Sequence, residues 1–320
     1  MPKAHQPRHG SMAYWPRKRA KRAHARVRSY RATKEVLPLA FAGYKAGMTH
    51  VMFIDNKKTS PTKGEELSVP VTIIECPPLK VIGIRFLIND PHSRVLVDHF
   101  IPKLDKTITL PKHKKEPKAI PDSFDELMLI VATTPKATGI GKKKADIFEI
   151  ALGGNKEEKF AKAKELLGKD LNVEDVFKEG QLLDAHSITI GKGFQGAVKR
   201  FGIGLKNHKS EKSVRTAPLG PWKSQGHIMY RVAHAGKMGY HTRTDFNKWL
   251  LKIAKADELK IKGGIINFGL PKSTCLLLKG SIPGHKKRLI KLTRPIRPNH
   301  RASKEAPAIT TISLESQQGR

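Results

Sequence analysis

The six residues GKGFQG, Gly191 to Gly196, have the glycine spacing of a phosphate-binding loop. They match the pattern G-x-G-x-x-G, follow a predicted strand, and precede an acidic residue, Glu211, by about twenty positions, as in dinucleotide-binding folds. The pattern then breaks, because Gly202 and Gly204 fall where the helix beneath a pyrophosphate would run. The loop is a weak signal for a nucleotide, and fits better a close approach of backbone amides and Lys192 to RNA phosphates.

No other group of residues has a spacing suited to catalysis. The chain lacks a Walker A motif, an H-E-x-x-H pair and a G-x-S-x-G turn. Its acids cluster beside lysines, and its 14 histidines lie mostly among lysines and arginines. Cys76 and Cys275 have no second cysteine nearby in sequence, so two buried thiols are expected rather than a zinc site or a disulfide framework. We predict a protein that is not an enzyme and binds no metal.

Charge is large and unevenly distributed along the chain. The 320 residues carry a formal net charge of +33, which favours a polyanionic partner such as nucleic acid, an acidic membrane or an acidic protein. Residues 1–34 and 279–304 contain no acid, and residues 191–243 contain only Glu211. Residues 122–184 instead carry thirteen acids against ten lysines. We therefore expect one lobe to face water and the remainder to face a polyanion.

The apolar runs are short. Leu127 to Ala132 and Cys275 to Leu278 are the longest, and a membrane-spanning helix needs about 20 residues. The N-terminus has charges but no apolar segment of the kind that a secretory signal requires. The sequence predicts a soluble intracellular protein with no membrane partner.

Turn residues separate many β-branched stretches, which predicts a β-barrel or sandwich. Helical patterns appear only in the acid-rich lobe. There Asn155 and Glu158 form a capping-box pattern before one helix, and Asn172 with Asp175 begins a second short helix that ends at Gly180. The predicted strands lie near residues 36–42, 50–55, 69–75, 80–89, 94–100, 127–132, 185–190, 261–268 and 274–279.

The basic stretches lack apolar periodicity, so we expect them to be disordered in the free protein and to order on binding. These patterns divide the chain into five segments. The segments are a basic N-terminal arm at 1–35, a β-barrel core at 36–104 and 185–298 that contains a basic central extension or finger at 191–243, an α/β insertion at 105–184, and a C-terminal tail at 299–320.

The stretch FKEGQLLDAHSITIGKGFQGAVKR, Phe177 to Arg200, resembles the signature of the large-subunit ribosomal protein L3 family. GYKAGMTH, residues 43–50, is similar to the family's first barrel strand, and AGKMGYHTRT, residues 235–244, continues the match. Phe201 departs from the many members that have Trp at that position. The signature positions are Phe177, Asp184, Ser187, Thr189, Gly191, Lys192, Gly193, Gly196 and Arg200.

PRHGS and PRKRA, residues 7–11 and 16–20, resemble the N-terminal arm of archaeal and eukaryotic members of the family. A eukaryote-style C-terminal extension is not seen after the last basic run, which favours an archaeal source. In all, the resemblance extends from about Pro7 to Pro298.

The resemblance implies a mainly β fold. Its parts are a translation-protein type β-barrel, an α/β insertion, a long N-terminal arm and a central extension that penetrates ribosomal RNA. It implies a structural, cytoplasmic protein of the large ribosomal subunit that binds early in assembly. The implied partners are large-subunit rRNA and neighbouring large-subunit ribosomal proteins, with no small-molecule substrate, no homo-oligomer and no cofactor beyond Mg²⁺ ions held by the rRNA.

The resemblance also implies that the extension ends in a finger directed toward the peptidyl transferase centre, with its tip at Gly220, Pro221, Trp222 and Lys223. Trp222 has few apolar neighbours at strand or helix spacing, which fits surroundings made of RNA. The residues predicted to bind rRNA are Arg8, His9, Arg17, Lys18, Arg19, Lys21, Arg22, Lys192, Phe194, Lys199, Arg200, Lys206, Lys209, Lys212, Arg215, Lys223, Arg231, Lys237, Arg243, Lys286, Lys287 and Arg288.

Aromatic residues within the basic zone are candidates for stacking on unpaired bases. They are Phe194, Phe201, Trp222, Tyr230 and Tyr240, of which Tyr230 and Tyr240 fit a protein core equally well. Two other functions remain open at this point. The chain could be a non-ribosomal basic nucleic-acid chaperone, or a nucleotide-binding enzyme that uses residues 191–196.

Overall fold

The chain folds into two units in the computed structural model, residues 1–22 with 188–242 and residues 23–187 with 243–320. We call the first the extension unit and the second the core unit. The predicted finger tip at 220–223 lies outside the described residues. The structure describes residues 9–57, 59–89, 93–102, 105, 108–109, 119–121, 123–205, 226, 230–303 and 305–316.

Strands dominate this part of the chain, which confirms the mainly β prediction. The strands are β1 (Ala40–Ile54), β2 (Glu66–Glu75), β3 (Leu79–Asn89), β4 (Ser93–Phe100), β5 (Glu126–Thr133), β6 (Ile147–Ala151), β7 (Asp170–Leu171), β8 (Leu182–Ile188), β9 (Phe194–Gln195), β10 (Gly236–Lys237), β11 (Thr242–Ala254), β12 (Cys275–Lys279), β13 (Leu289–Thr293) and β14 (Ala308–Ile312). The helices are α1 (Lys156–Leu166) and α2 (Ala197–Phe201), with 3₁₀ turns at Met12–Tyr14, Pro135–Ala137 and Ala256–Leu259.

The core unit contains a closed β-barrel. Its strands follow the order β13, β8, β11, β12, β2 and β1, and β1 pairs again with β13 to close the ring. The long β1 uses its first half to pair with β13, where Ala40 lies opposite Thr293, and its second half to pair with β14, where Val51 lies opposite Ile312. Closure leaves these six strands without a free edge.

A second antiparallel sheet in the core unit has the order β4, β3, β5 and β6, and β7 also pairs with β3. The first eight residues of β1 are all buried, because the barrel and this sheet cover opposite faces of the strand. Tyr44 on β1 donates its hydroxyl to Thr133 Oγ1 on β5 at 3.0 Å. Burial and Asp146 raise the pKa of that hydroxyl.

The acid-rich lobe contains the predicted helix. In α1 the carboxylate of Glu158 accepts the Asn155 backbone N–H at 3.1 Å, as the capping-box pattern requires. The second predicted helix is wrong: the chain after Asn172 makes a single turn, closed by the N–H groups of Val176 and Phe177 donating to Val173 O. Val173, Val176 and Phe177 are buried, so packing alone explains their apolar spacing.

The predicted strand at 261–268 is also wrong. Gly263 and Gly264 both have φ of +73°, a left-handed conformation that turns the chain. Ile265 makes one isolated bridge with Gly269 instead of joining a sheet. The turn buries three apolar side chains, those of Ile261, Ile265 and Phe268. Their apolar character therefore reflects burial in a turn and not in a strand.

The boundary of the insertion differs from the one expected. The sequence predicts a start at residue 105, but β3 and β4 belong to the second sheet and not to the barrel. By sheet membership, the insertion therefore runs from Leu79, the first residue of β3, to the end of β7. The next strand, β8, belongs to the barrel again. The apolar content of β3 matches that of a barrel strand, and only long-range pairing distinguishes the two.

His186 on β8 is buried between two hydroxyl groups. Its Nδ1 lies 2.9 Å from Thr244 Oγ1 and its Nε2 lies 3.1 Å from Thr293 Oγ1. Burial lowers its pKa from the usual 6.5, with Lys291 lowering it further and Asp184 opposing the shift. The folded protein therefore holds His186 neutral at pH values where the unfolded chain takes up a proton.

We expect the free energy of unfolding to fall as the pH drops below about 6.5, with His186 contributing up to about 1.4 kcal/mol per pH unit. Urea unfolding of the wild type and of His186→Gln at several pH values between about 7 and 5 measures this contribution. The variant should lose less stability than the wild type over that interval. Parallel losses in the two proteins would contradict the assignment.

Candidate nucleic-acid interface

The extension unit contains a narrow antiparallel ribbon built on the glycine-rich loop. β9 pairs with β10, so that Phe194 lies opposite Lys237. The Lys192 N–H donates to Met238 O at 2.9 Å, and the Met238 N–H donates to Gly193 O at 2.9 Å. Gly193 has φ of +65°, which lets the loop reverse there. The ribbon is fixed by its backbone and needs no apolar core.

This geometry does not match a dinucleotide-binding loop. Such a loop offers free backbone N–H groups and a long helix N-terminus to a pyrophosphate, whereas the Lys192 N–H is bonded within the ribbon. The following helix, α2, has five residues and ends at Gly202, which has φ of +69°. Gly193 therefore serves the reversal of the loop.

The N-terminal arm lies along the ribbon within the extension unit. The Ala20 N–H donates to Tyr240 O at 2.8 Å. His241 is buried and lies with Nδ1 2.8 Å from Lys18 O, so Nδ1 carries the proton and donates it. The Thr189 N–H in turn donates to His241 O at 2.9 Å. Backbone groups of the arm are thus tied to Tyr240 and His241, just after β10.

An aromatic and cationic stack holds the start of the arm. Trp15 stacks on Phe201 with ring centroids 5.6 Å apart, and Arg17 lies over the same Phe201 ring at 4.2 Å. Arg17 Nη1 also donates to Arg200 O at 2.9 Å. Gly10 has φ of +79°, and a Cβ there would lie 2.7 Å from the Phe201 ring. Phe201 is the centre of this cluster and is itself buried.

The described part of the arm therefore has defined partners, where disorder in the free protein was expected. The last residues of the arm belong to the core unit, where Ala25 is fully buried and Tyr30 donates its hydroxyl to Glu149 O at 3.2 Å. Arg288 Nη1 donates to Ala23 O at 3.1 Å. Periodicity could not predict this order because backbone carbonyls and single aromatic contacts hold the arm.

Most of the predicted rRNA-binding residues in the described part of the extension unit present their side chains to solvent. His9, Arg19 and Lys21 on the arm and Lys192 on the ribbon are examples. Arg17 and Arg200 are half-buried in the Phe201 cluster, and burial lowers the pKa of the Arg200 guanidinium. The exposed predicted residues are His9, Lys18, Arg19, Lys21, Arg22, Lys192, Phe194, Lys199, Arg231 and Lys237.

The predicted residues of the core unit are less accessible. Arg288 is buried under the arm, and Lys286 donates from Nζ to Ile266 O at 2.8 Å. Lys287 is exposed and Arg243 is half-buried. Lys286 and Arg288 thus stabilise the folded core unit, where sequence reasoning assigned them only to RNA.

The aromatic candidates fall into two groups. Phe194 and Tyr230 are 72% and 69% exposed and present ring faces that a base could stack on. The Phe201 ring packs against Trp15 and Arg17, so Phe201 holds the arm in place and is not available to stack on a base. Tyr240 is half-buried, with φ of 55°. Sequence reasoning overlooked Trp15, although a Trp in a basic arm is itself a signal of packing.

Other predicted site residues lie outside the described part of the chain. They are Arg8, Lys206, Lys209, Lys212, Arg215 and the finger tip Gly220, Pro221, Trp222 and Lys223.

Metal-binding clusters and helices long and apolar enough to span a membrane are both absent from the described residues. Among them, no cluster of His, Cys, Asp and Glu could hold a metal ion. None of their helices has both the length and the apolar character of a membrane span.

Comparison with known proteins identifies the family. The Ribosomal protein L3 family model matches residues 1–120 and 113–319. The chain belongs to the ribosomal protein L3 family. It is 43% identical to the large ribosomal subunit protein uL3 of Methanobrevibacter smithii over 337 residues, which cover both chains completely. The protein of the same name from Methanothermobacter thermautotrophicus is 43% identical over 338 residues, again across both chains.

A third relative, the large ribosomal subunit protein uL3 of Methanocaldococcus jannaschii, is 41% identical over 330 residues that cover 98% of each chain. These relatives support the archaeal assignment within the L3 family. Proteins of this family are structural and not enzymatic, so the prediction that the chain is not an enzyme is confirmed. The nucleotide-binding enzyme considered for residues 191–196 is therefore excluded.

Proposed function

We propose that this protein is a structural constituent of the large ribosomal subunit that binds large-subunit rRNA through its extension unit and supports early subunit assembly. Its partners are the rRNA and neighbouring large-subunit proteins, and it acts as a single copy in the cytoplasm.

One observation carries this proposal: the described part of the extension unit contains ten Lys and Arg residues and no Asp or Glu. A water-facing surface mixes charges of both signs, whereas a surface that faces RNA does not. Eight of the ten side chains are exposed. Each Lys or Arg that contacts a phosphate releases condensed counterions, and this release favours binding.

The free protein should bind large-subunit rRNA fragments with steep salt dependence. Contacts from half of the eight exposed residues give a slope of log Kd against log salt of about 3 or more, because each contact adds about 0.7 to 0.9. Titrations between about 50 and 200 mM salt measure the slope. An affinity that barely changes over this range would contradict the proposal.

A matched pair of variants distinguishes binding through the extension unit from a nonspecific effect of the protein's net charge. Lys192→Gln removes an exposed cation from the ribbon, and Lys169→Gln removes an exposed cation from the acid-rich lobe. The first should lower the salt slope by about 0.7 to 0.9 and the second should leave it unchanged. Equal effects would mean that the extension unit has no special part in binding.

We also propose that Trp222 lies at the tip of a finger near the peptidyl transferase centre. This rests on the family resemblance and on the few apolar neighbours of Trp222 in the sequence. Trp222→Ala should leave subunit assembly nearly intact and alter peptidyl transfer or tRNA accommodation, while Leu219→Ala serves as the neighbouring control. A Trp222→Ala protein that fails to fold would show that Trp222 is a core residue.

A further inference from the structure

A cavity lies between the arm and the ribbon within the extension unit. Residues Arg19, Ala20 and Lys21 form one wall, and residues Gly191, Gly193 and 237–240 form the other. We call this space the arm–ribbon cavity. Its volume of about 380 Å³ falls in the range of small-ligand sites.

Hydrogen bonds fix the walls of the arm–ribbon cavity. The Ala20 N–H donates to Tyr240 O at 2.8 Å and positions the arm wall. The bonds that join Lys192 to Met238 and Met238 to Gly193 position the ribbon wall. Because backbone groups make these contacts, the cavity is present before any ligand arrives, and binding does not incur the cost of ordering its walls.

The lining carries positive charge and no negative charge. Arg19, Lys21 and Lys237 are exposed at the arm–ribbon cavity, and no Asp or Glu lies among its lining residues. Three cations around a small space repel one another, so the ligand with the best charge complementarity is an anion. Arg and Lys donors suit the oxygens of a phosphate.

The floor suits a ligand that approaches the backbone closely and has a flat ring. Gly191 and Gly193 expose bare backbone on part of the ribbon wall. Tyr240 lies directly beside Gly191, since a Cβ on Gly191 would be 3.7 Å from the Tyr240 Cβ. An aromatic side chain next to cations and bare backbone is a combination that binds an unpaired base together with its phosphate.

We propose that the arm–ribbon cavity binds one nucleotide of single-stranded RNA, with its phosphate facing Arg19, Lys21 and Lys237 and its base against Tyr240. This inference rests on the proposed function and adds to it a specific pocket and a ligand class. A free mononucleotide shares the same chemistry. We favour RNA over a free mononucleotide, because the basic residues of the extension unit outside the cavity can contact the phosphates on either side of the bound nucleotide.

Two substitutions fill or neutralise the cavity without straining the fold. Gly191 does not have a positive φ, and Gly191→Ala places a methyl group at ordinary contact distance from Tyr240. Its control is Gly196→Ala, where φ is −67° and the added Cβ meets nothing within 4 Å. Lys237→Gln removes a lining cation, and Lys199→Gln removes an exposed cation of the same unit outside the cavity.

The test measures the Kd of the full-length variants for a single-stranded large-subunit rRNA fragment, adenosine monophosphate and inorganic phosphate at one salt concentration. Lys237→Gln should weaken RNA binding about tenfold more than Lys199→Gln, because it loses a charge-assisted contact besides the counterion effect. Gly191→Ala should weaken RNA binding at least about threefold relative to Gly196→Ala, since its methyl group occupies space at the base.

Cavity variants that bind RNA like their controls would overturn the inference and leave the proposed function intact. Mononucleotide binding as tight as RNA binding would overturn RNA as the ligand. A wild-type protein that binds no RNA would overturn the proposed function and this inference together. Equal thermal unfolding of all four variants confirms that the differences arise at the cavity.

Discussion

Replacing Asp184 by alanine is expected to cost about 3 to 5 kcal/mol of folding free energy, because two partly buried hydrogen bonds to a charged acceptor are lost. The Asp184 carboxylate has no solvent exposure. Its Oδ1 accepts the Asn247 N–H at 2.8 Å, and its Oδ2 accepts the Ile296 N–H at 3.0 Å. Asp184 therefore ties β8 to β11 and to the segment after β13 within the barrel.

Asn247 shows why the barrel needs this carboxylate. The residue has φ of 55° within β11, where the ladder is irregular, and its side chain continues the connection by donating to Arg297 O at 2.9 Å. Without Asp184, the half-buried Asn247 N–H would lose its acceptor within an irregular strand. The loss of folding free energy thus arises where β8, β11 and the segment after β13 meet in the barrel.

Urea unfolding of Asp184→Ala measures this cost against Asp245→Ala. Asp245 pairs with Lys248 at 2.8 Å near the surface, and its loss should cost under about 1 kcal/mol. Asp184→Asn should fall between the two, since it keeps one acceptor but turns an NH₂ group toward the other donor. Comparable stabilities for Asp184→Ala and Asp245→Ala would contradict this role of Asp184.

Gly239→Ala is expected to disrupt the ribbon of the extension unit and to weaken rRNA binding by at least about tenfold, as the exposed cations lose their fixed positions. Gly239 has φ of +76°, and a Cβ at this position would overlap the carbonyl oxygen of Ile190. That same oxygen accepts the Tyr240 N–H at 3.3 Å. The substitution therefore forces apart the two chain segments that meet at Ile190 and Gly239.

The readouts for Gly239→Ala are the hydrogen-exchange protection of the Lys192 and Met238 amides and the Kd for an rRNA fragment. Gly196→Ala, which changes the same residue type in open space, should match the wild type in both. The core unit should keep its protection in each variant, because the strained position lies outside it. Wild-type protection and affinity in Gly239→Ala would contradict the account of the ribbon.

The sequence predicted the strands whose apolar runs are bounded by Pro or Gly. β2, β3, β5 and β12 are of this kind, and burial on both faces explains their continuous β-branched and aliphatic content. β11 was missed, because TRTDFNKWLLKIA mixes charged residues with apolar ones and bends at Asn247. β13 was missed because LIKLT contains a lysine and follows a basic run.

The sequence was enough to predict which residues make the candidate interface basic, but not how those residues are arranged in space. The acid-free runs located the basic residues, and the glycine spacing located the ribbon. The docking of the arm was not predictable, since it rests on Trp15 against Phe201 and on backbone bonds to Tyr240 and His241. The burial of Arg288 was missed for a similar reason: a basic run does not reveal which member packs beneath the arm.

Sedimentation of the native protein from cell lysate tests whether the chain is a constituent of the large ribosomal subunit. In a sucrose gradient the chain should migrate with the large ribosomal subunit, and it should stay with that subunit after low Mg²⁺ separates the two subunits. Recovery of the chain with DNA or bulk RNA, or at the top of the gradient, would contradict a structural role in the large subunit and would favour a free nucleic-acid chaperone.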